Sequence, residues 1–351
     1  MKRSLLLLLT LVLVASLLPA HDALAKDKFK IAWSHYTGWE PWEYANHAGI
    51  LKKWADKYGI EISLTLVNDY VESINQYTAG QYDGCVMTNM DALTIPAVGG
   101  IDSTALIIGD YSNGNDGIGT KGEGAVTEFA GKEVMLVQYS VSHYLLARAI
   151  DQAGKTEKEI GMKLVNVSDA EIAGLFAANP KAIVVTWNPP LMTIREAGAK
   201  IIFDSSKIPG EILDLMVVRT NAPDTLKKAL VGAWYETMQV MSGKGKAADE
   251  SIAYMAKVAG NTEQAFRAQL KTTAMYYTPK DAAEFAKGEN LKKTMEYVRT
   301  FTFDHGLFGQ NASSKDFIGI EFPDTTVMGS KRNVKLRFTD KYMRMAADGK
   351  I

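Results

Sequence analysis

A single cysteine, Cys85, serves the whole 351-residue chain, which rules out an intrachain disulfide framework or a thiolate metal cage. Cys85 lies in the apolar stretch "DGCVM", where a thiol is buried and inert rather than nucleophilic. Signatures of hydrolytic and nucleotide chemistry are also missing. The five histidines (His21, His35, His47, His143, His305) never take the H-E-x-x-H spacing, there is no G-x-S-x-G, and no glycine-rich loop ends in G-K-[ST]. Charge of either sign is not in excess: 39 basic residues against 40 acidic ones leave a net charge of -1, which provides no field to hold nucleic acid or an anionic membrane. Beyond the first 25 residues no apolar run approaches the length of a membrane-spanning helix.

Those first residues read as a secretory leader. Lys2 and Arg3 precede the apolar run "SLLLLLTLVLVASLLPA", and Ala23-Leu24-Ala25 fits an A-x-A cleavage site. No cysteine follows to carry a lipid anchor. Removing residues 1–25 leaves about 326 residues and a net charge of about -2, enough chain for two lobes with separate cores in an exported, periplasmic protein.

Short apolar strands alternate with helical stretches along the remainder. "KFKIAW", the alternating "IEISLTLV", "YDGCVMTN" and "STALIIGDY" read as strands of a first unit. A helix between the first two starts at Pro41 by proline preference, or three residues earlier if Thr37 and Glu40 form a capping box; its apolar face continues through Leu51, Trp54, Ala55 and Tyr58. The glycine-rich "SNGNDGIGTKGEGAVTE" reads as a crossing, after which "GKEVMLVQ", "GMKLVNVS", "KAIVVTW" and "KIIFD" alternate with helices as a second unit. "DLMVVRTNAP" is a further strand, and mostly amphipathic helix follows. This pattern predicts an α/β fold of mainly parallel sheets flanked by helices.

In open α/β sheets, ligands bind beyond the carboxyl ends of the strands. That rule selects Trp33 to Trp39 with the adjoining Glu40, Asn68-Asp69-Tyr70, Thr88-Asn89-Met90-Asp91, Gln138-Tyr139-Ser140 to His143, and Thr186-Trp187-Asn188. Asp110, Tyr111 and Asp214 lie near the expected crossings and extend the set. The candidate contacts are Trp33, Tyr36, Trp39, Glu40, Asp69, Asn89, Asp91, Tyr111, Tyr139, His143, Trp187 and Asn188. Structural duties compete with this reading: Trp42 and Trp54 suit a helix core, Asp69 and Asp91 suit helix caps, and His35 and His143 suit internal bonds. The five segments are aromatic and acidic, with no lysine or arginine. Aromatic faces attract cations by roughly 0.5–2 kcal/mol each, and carboxylates bind planar nitrogen cations bidentately. Guanidinium therefore fits better than nitrate or a sulfonate, with neutral urea the near competitor.

The runs "GKEVMLV", "SVSHYLLARAIDQAG" and "VNVSDAEIAGLFAANPKAIVVTWNPP" resemble the nitrate/sulfonate/taurine-type periplasmic binding proteins of ABC importers, over roughly residues 28–310. "KWADKYGIEI", "NDYVESINQYTAGQYDG" and "TNMDALTIPAVGGIDSTALIIGDYSNGNDG" are similar to the subgroup associated with urea/guanidine carboxylase. "NPKAIVVTW" departs from the Gly-x-Val-Asp-Ala pattern of many relatives. The resemblance implies a two-lobed, type II-like fold: residues 26–123 as the first part of lobe 1, 124–214 as lobe 2, and 215–351 as the return to lobe 1 with C-terminal helices. It also implies a monomer without cofactor or metal, closing on a small ligand and delivering it to a permease with its ATPase. A secreted small-amine-processing enzyme and an anion-binding protein on the same fold are the alternatives.

Overall fold

The computed structural model describes residues 26–351; the expected leader lies outside the described residues. The strands are β1 (Asp27–Trp33), β2 (Ile60–Leu66), β3 (Gly84–Thr88), β4 (Ser103–Ser112), β5 (Asp116–Thr120), β6 (Glu133–Leu136), β7 (Lys163–Asn166), β8 (Ile183–Trp187), β9 (Lys200–Asp204), β10 (Leu213–Arg219), β11 (Thr273–Met275), β12 (Gly319–Glu321), β13 (Val327–Met328) and β14 (Val334–Phe338). They form two sheets. The larger has the order β13-β12-β14-β4-β10-β3-β1-β2, with β11 also paired to β4, and the smaller has β7-β6-β8-β5-β9.

The parallel ladders β1–β2, β1–β3, β6–β7 and β6–β8 come from the strand–helix–strand runs of the sequence. β5 and β10 are antiparallel to their neighbours and make both sheets mixed. Each is the first strand after the chain passes from one sheet to the other, so it enters its sheet from the end where the neighbouring strands finish. The passages are Asn113–Asn115 and Ser205–Ile212. The first comes earlier than the expected boundary after residue 123, because Asp116–Thr120 pairs with both β8 and β9.

The glycines that suggested a long crossing have a packing role instead. Gly117 and Gly119 lie in β5 beneath the helix Pro190–Glu196. A Cβ on Gly119 would stand 2.5 Å from Ile194 Cδ1, and one on Gly117 would stand 3.1 Å from Leu191 Cδ2. Only a bare backbone admits that helix at this distance, and Leu191 and Ile194 are then fully buried.

In the larger sheet, β3 is buried along its whole length and β10 up to its last residue, so the core runs through the sheet centre. Cys85 belongs to it: burial pushes its thiol up to about 12, as suits an inert residue. The expected helix after β1 is two helices, Glu40–His47 and Ile50–Lys57, separated at Ala48 and Gly49. No capping box forms at its start, because the Thr37 hydroxyl donates to Gln269 and Glu40 is engaged by His35. Trp42 packs against Trp234 with ring centroids 5.0 Å apart, and Trp54 donates its indole N–H to Glu236.

Gly119→Val is expected to lower unfolding free energy by about 1–3 kcal/mol through overpacking against Ile194. Urea denaturation followed by circular dichroism measures it, and an unchanged midpoint would show that the helix can move aside.

Candidate functional site

A small cavity lies between the two sheets, at the carboxyl ends of β1, β3 and β8. In this closed arrangement only about 10 Å³ is open to a water centre, room for about one water, so even a ligand of a few heavy atoms needs the walls to part slightly. The first unit contributes Tyr36 and Trp39 from the turn after β1, Tyr70 from the start of helix Tyr70–Thr78, Thr88 from the end of β3, Ile212 from the end of the return passage and Asp214 from the start of β10. The second contributes Asp116 from the start of β5, Val141 from the start of helix Val141–Gln152, and Trp187 from the end of β8.

Local sequence explains the aromatic wall. The Trp39 and Glu40 amides both donate to the Tyr36 carbonyl, a tight turn that sets the Tyr36 and Trp39 rings 5.1 Å apart. Gly38 lets that turn lie on Asp110: a Cβ there would come within 2.2 Å of Asp110 Oδ2. Trp39 continues to Tyr70 at 5.4 Å, and Tyr70 meets Trp187 edge-on at 5.4 Å. The wall therefore crosses from one unit to the other. The Trp39 indole nitrogen is buried without a partner.

Behind and between these rings stand four buried carboxyls, Asp91, Asp110, Asp116 and Asp214. Asp91 accepts from the Tyr70 hydroxyl (2.7 Å) and the Thr88 hydroxyl (2.8 Å), both on Oδ2, while Oδ1 has no partner; the Val141 amide of the other unit is near enough to favour its charge. Burial outweighs these bonds and lifts its pKa to about 6. Asp110 accepts from the Tyr36 hydroxyl (3.0 Å) and faces Asp214 across the β4–β10 ladder. Burial raises both, and a proton shared between the two carboxyls lets the pair sit there although no donor reaches either Oδ2. Burial also raises Asp116, to about 7. Among the described residues, no lysine, arginine or histidine stands against any of the four. Four acids buried with no counter-cation are costly unless neutralised by protons or by a positive ligand.

The units are closed over this space. The Ser168 hydroxyl donates to Asp69 (3.0 Å) and the Tyr70 amide donates to Asp169 (3.3 Å).

Of the twelve candidates from sequence, the structure brings Tyr36, Trp39 and Trp187 together in the cavity wall, with Asp91 directly behind Tyr70. The others stand elsewhere. Trp33 is buried with its ring against His35. Glu40 pairs with the His35 Nδ1 atom at 2.7 Å and has its second oxygen unpartnered. Asp69 caps its helix through the Glu72 amide, and Asn89 accepts from the Leu213 amide and donates to the Glu211 carbonyl. Tyr111 packs on Tyr276, Tyr139 is exposed, and His143 bonds Glu157. Asn188 donates to Asn115 Oδ1 just beside the cavity. Asp116 lies in the segment that reads as a glycine-rich crossing, so the strand-end rule does not select it. Val141 and Ile212 carry no signal that distinguishes them from core.

Two mixed α/β units joined by two passages around an enclosed cavity constitute the periplasmic binding protein fold. Solved structures agree. The alkanesulfonate-binding protein SsuA from Xanthomonas axonopodis pv. citri, bound to MOPS, is 13% identical with a TM-score of 0.64, covering 81% of this chain and 94% of its own. The aliphatic sulphonate-binding SsuA from Escherichia coli is 14% identical at 0.65, covering 82% and 96%. The nitrate-binding NrtA from Synechocystis PCC 6803 is 14% identical at 0.55, covering 91% and 98%. No protein-family model and no curated protein matches the sequence.

The acid cluster makes a pH prediction. A carboxyl whose folded pKa is raised binds its proton more tightly folded than unfolded, so stability falls as pH rises from about 4 to 7 and levels off above. Asp116→Asn removes one such group, raised to about 7. Without ligand, its melting temperature should exceed that of wild type at pH 8 by the equivalent of a few kcal/mol, with the gap narrowing toward pH 5. Thermal melts across that range measure it, and a gap that widens toward acid would contradict a raised Asp116.

Proposed function

We propose that this chain is the solute-capturing component of an ABC importer, exported to the periplasm by its leader, and that its solute is a small planar nitrogen cation, guanidinium first. The buried carboxyl cluster carries this reading: Asp91, Asp110, Asp116 and Asp214 face or back an aromatic cavity and have no cation beside them among the described residues. A guanidinium ion is made of donors only, and the cavity has acceptors to spare, including unpartnered oxygens on Asp91, Asp110 and Asp214. Tyr36, Trp39, Tyr70 and Trp187 add ring faces around a positive charge. Urea carries no charge to neutralise the acids. A sulfonate or nitrate would meet like charge with no basic residue to hold it, although such anions are what the names of the neighbouring binding proteins specify.

Three further points support capture rather than catalysis. The structural neighbours are binding proteins, Cys85 is buried away from the cavity, and the ligand space is sealed by contacts between the units. On this reading the closed form docks on a permease coupled to an ATPase.

Calorimetry with guanidinium, urea, taurine, nitrate and short amines tests the proposal. Guanidinium should bind one to one without turnover, and binding of a sulfonate or nitrate in its place would overturn the cation reading. Asp116→Asn should weaken guanidinium binding by about 1.5–3 kcal/mol, the worth of a charge-assisted bond, and affect urea much less. Guanidinium stays protonated throughout the neutral range, as the arginine side chain does. Protons held by Asp91 at about 6 and Asp116 at about 7 must leave when it binds, so affinity should rise from pH 5.5 to 8 with net proton release. An affinity that falls over this window would contradict the assignment.

A further inference from the structure

Away from the cavity, three titratable side chains meet where the second unit touches the C-terminal helices. His143 lies in the first turn of helix Val141–Gln152, Glu157 opens the short helix Glu157–Ile160, and His305 follows helix Glu289–Asp304. Glu157 Oε1 lies 3.1 Å from His143 Nε2 and 3.0 Å from His305 Nε2. Phe301 packs against both imidazoles, stacked on His305 at 4.0 Å and edge-on to His143 at 5.4 Å.

The hydrogen bonds assign the protons. His143 Nδ1 accepts from the Tyr139 amide (3.3 Å), so its Nε2 carries the hydrogen that reaches Glu157. His305 Nδ1 donates to the Phe301 carbonyl (2.9 Å), and its Nε2 must donate as well, because Glu157 offers only acceptors. His305 is therefore an imidazolium, Glu157 a carboxylate and His143 neutral. Burial opposes the charge on His305, but the Glu157 carboxylate and Phe301 carbonyl outweigh it and raise its pKa. Burial likewise opposes the Glu157 charge, and the two histidines reverse this and lower its pKa to about 2. The three side chains also have the make-up of a metal site. Coordination through His143 Nε2 would require a hydrogen on Nδ1, where the Tyr139 amide already points. The bonding pattern thus favours a proton over a metal ion.

This cluster holds the helix turn that walls the cavity: Val141, two residues before His143, lines it, with its amide near Asp91. We propose that His305 is a proton-dependent positioning residue that, through Glu157 and His143, fixes the Val141 turn and slows ligand release while it stays protonated. The inference rests on the cavity being the ligand site. Other charges facing the cluster are Asp304, beside His305, Arg148 and Asp151 on the His143 helix, and Lys155 and Lys158 flanking Glu157. Asp304 adds to the imidazolium's stability. Because the folded pKa of His305 is raised, the tether is complete below the ordinary histidine value and lost as pH rises through the raised one.

The test measures release of radiolabelled guanidinium by rapid filtration from pH 5.5 to 9 in wild type, His305→Gln and His305→Lys. All three keep the cavity acids, so differences between them belong to residue 305. Wild-type release should quicken with pH relative to the Lys variant by roughly two- to fivefold, the scale of one partly exposed ion pair. The Gln variant should be fast throughout, and the Lys variant, which keeps a cation, should stay slow. Amide hydrogen exchange of residues 141–146 in the ligand-free proteins, corrected for intrinsic pH dependence, should follow the same pattern. That arm needs no ligand, so it separates failure of this inference from failure of the cation reading. Identical pH dependence in wild type and the Gln variant would overturn the proposal. So would stoichiometric zinc binding that needs both histidines.

Discussion

The pairing of Asp110 with Asp214 is the constraint around which the centre of the molecule is arranged. The two acids face each other on adjacent strands, and both lie at the ends of strands that meet the passages between the sheets. No basic residue among those described relieves them, so the surroundings must supply donors or neutrality. Tyr36 gives a hydroxyl to Asp110, and Gly38 lets the turn carrying Tyr36 come down onto it. Asn115, in the first passage, donates to that same hydroxyl and to Thr273, and accepts from Asn188 and Thr272. A network that begins at one carboxyl pair thus ties together the turn after β1, the first passage, the end of β8 and the entry to β11.

The same arrangement explains why the two units meet where they do. Every lining residue lies at an element end: the turn after β1, helix starts at Tyr70 and Val141, strand ends at Thr88 and Trp187, and strand starts at Asp116 and near Asp214. Strand ends are where an α/β sheet leaves backbone groups and side chains free of ladder duties. In this chain they hold acids and aromatics together, and the antiparallel strands β5 and β10 bring their first residues to the same place as the last residues of their parallel neighbours.

Much of this could be read from the sequence because it depends on local pattern. Strand periodicity located β1 to β4 and β6 to β10, and the strand-end rule led to Tyr36, Trp39 and Trp187. What escaped depends on partners far along the chain. β5 reads as a crossing because Gly117 and Gly119 fall in a glycine-rich run, whereas Leu191 and Ile194 require them for close approach. With β5 went Asp116. Thr37-x-x-Glu40 has the composition of a capping box, but Gln269 and His35 claim its side chains. Trp33, Asn89 and Tyr111 have suitable chemistry and position along the chain, and only packing directs them away from the cavity. His143, Glu157 and His305 come from three separate segments, and no spacing in the sequence announces that they meet.

Trp39 and Trp187 stand on opposite units of the same cavity, one before the first passage and the other between the two. An indole's emission depends on its distance from neighbouring carboxyls, on hydrogen bonding at its nitrogen and on the water around it. Separating the units would change all three for both rings at once, while Trp42 and Trp234, packed at a tilt in the core, would keep their surroundings. The chain therefore carries its own optical gauge of opening and closing, built from the residues that enclose the ligand and needing no attached dye.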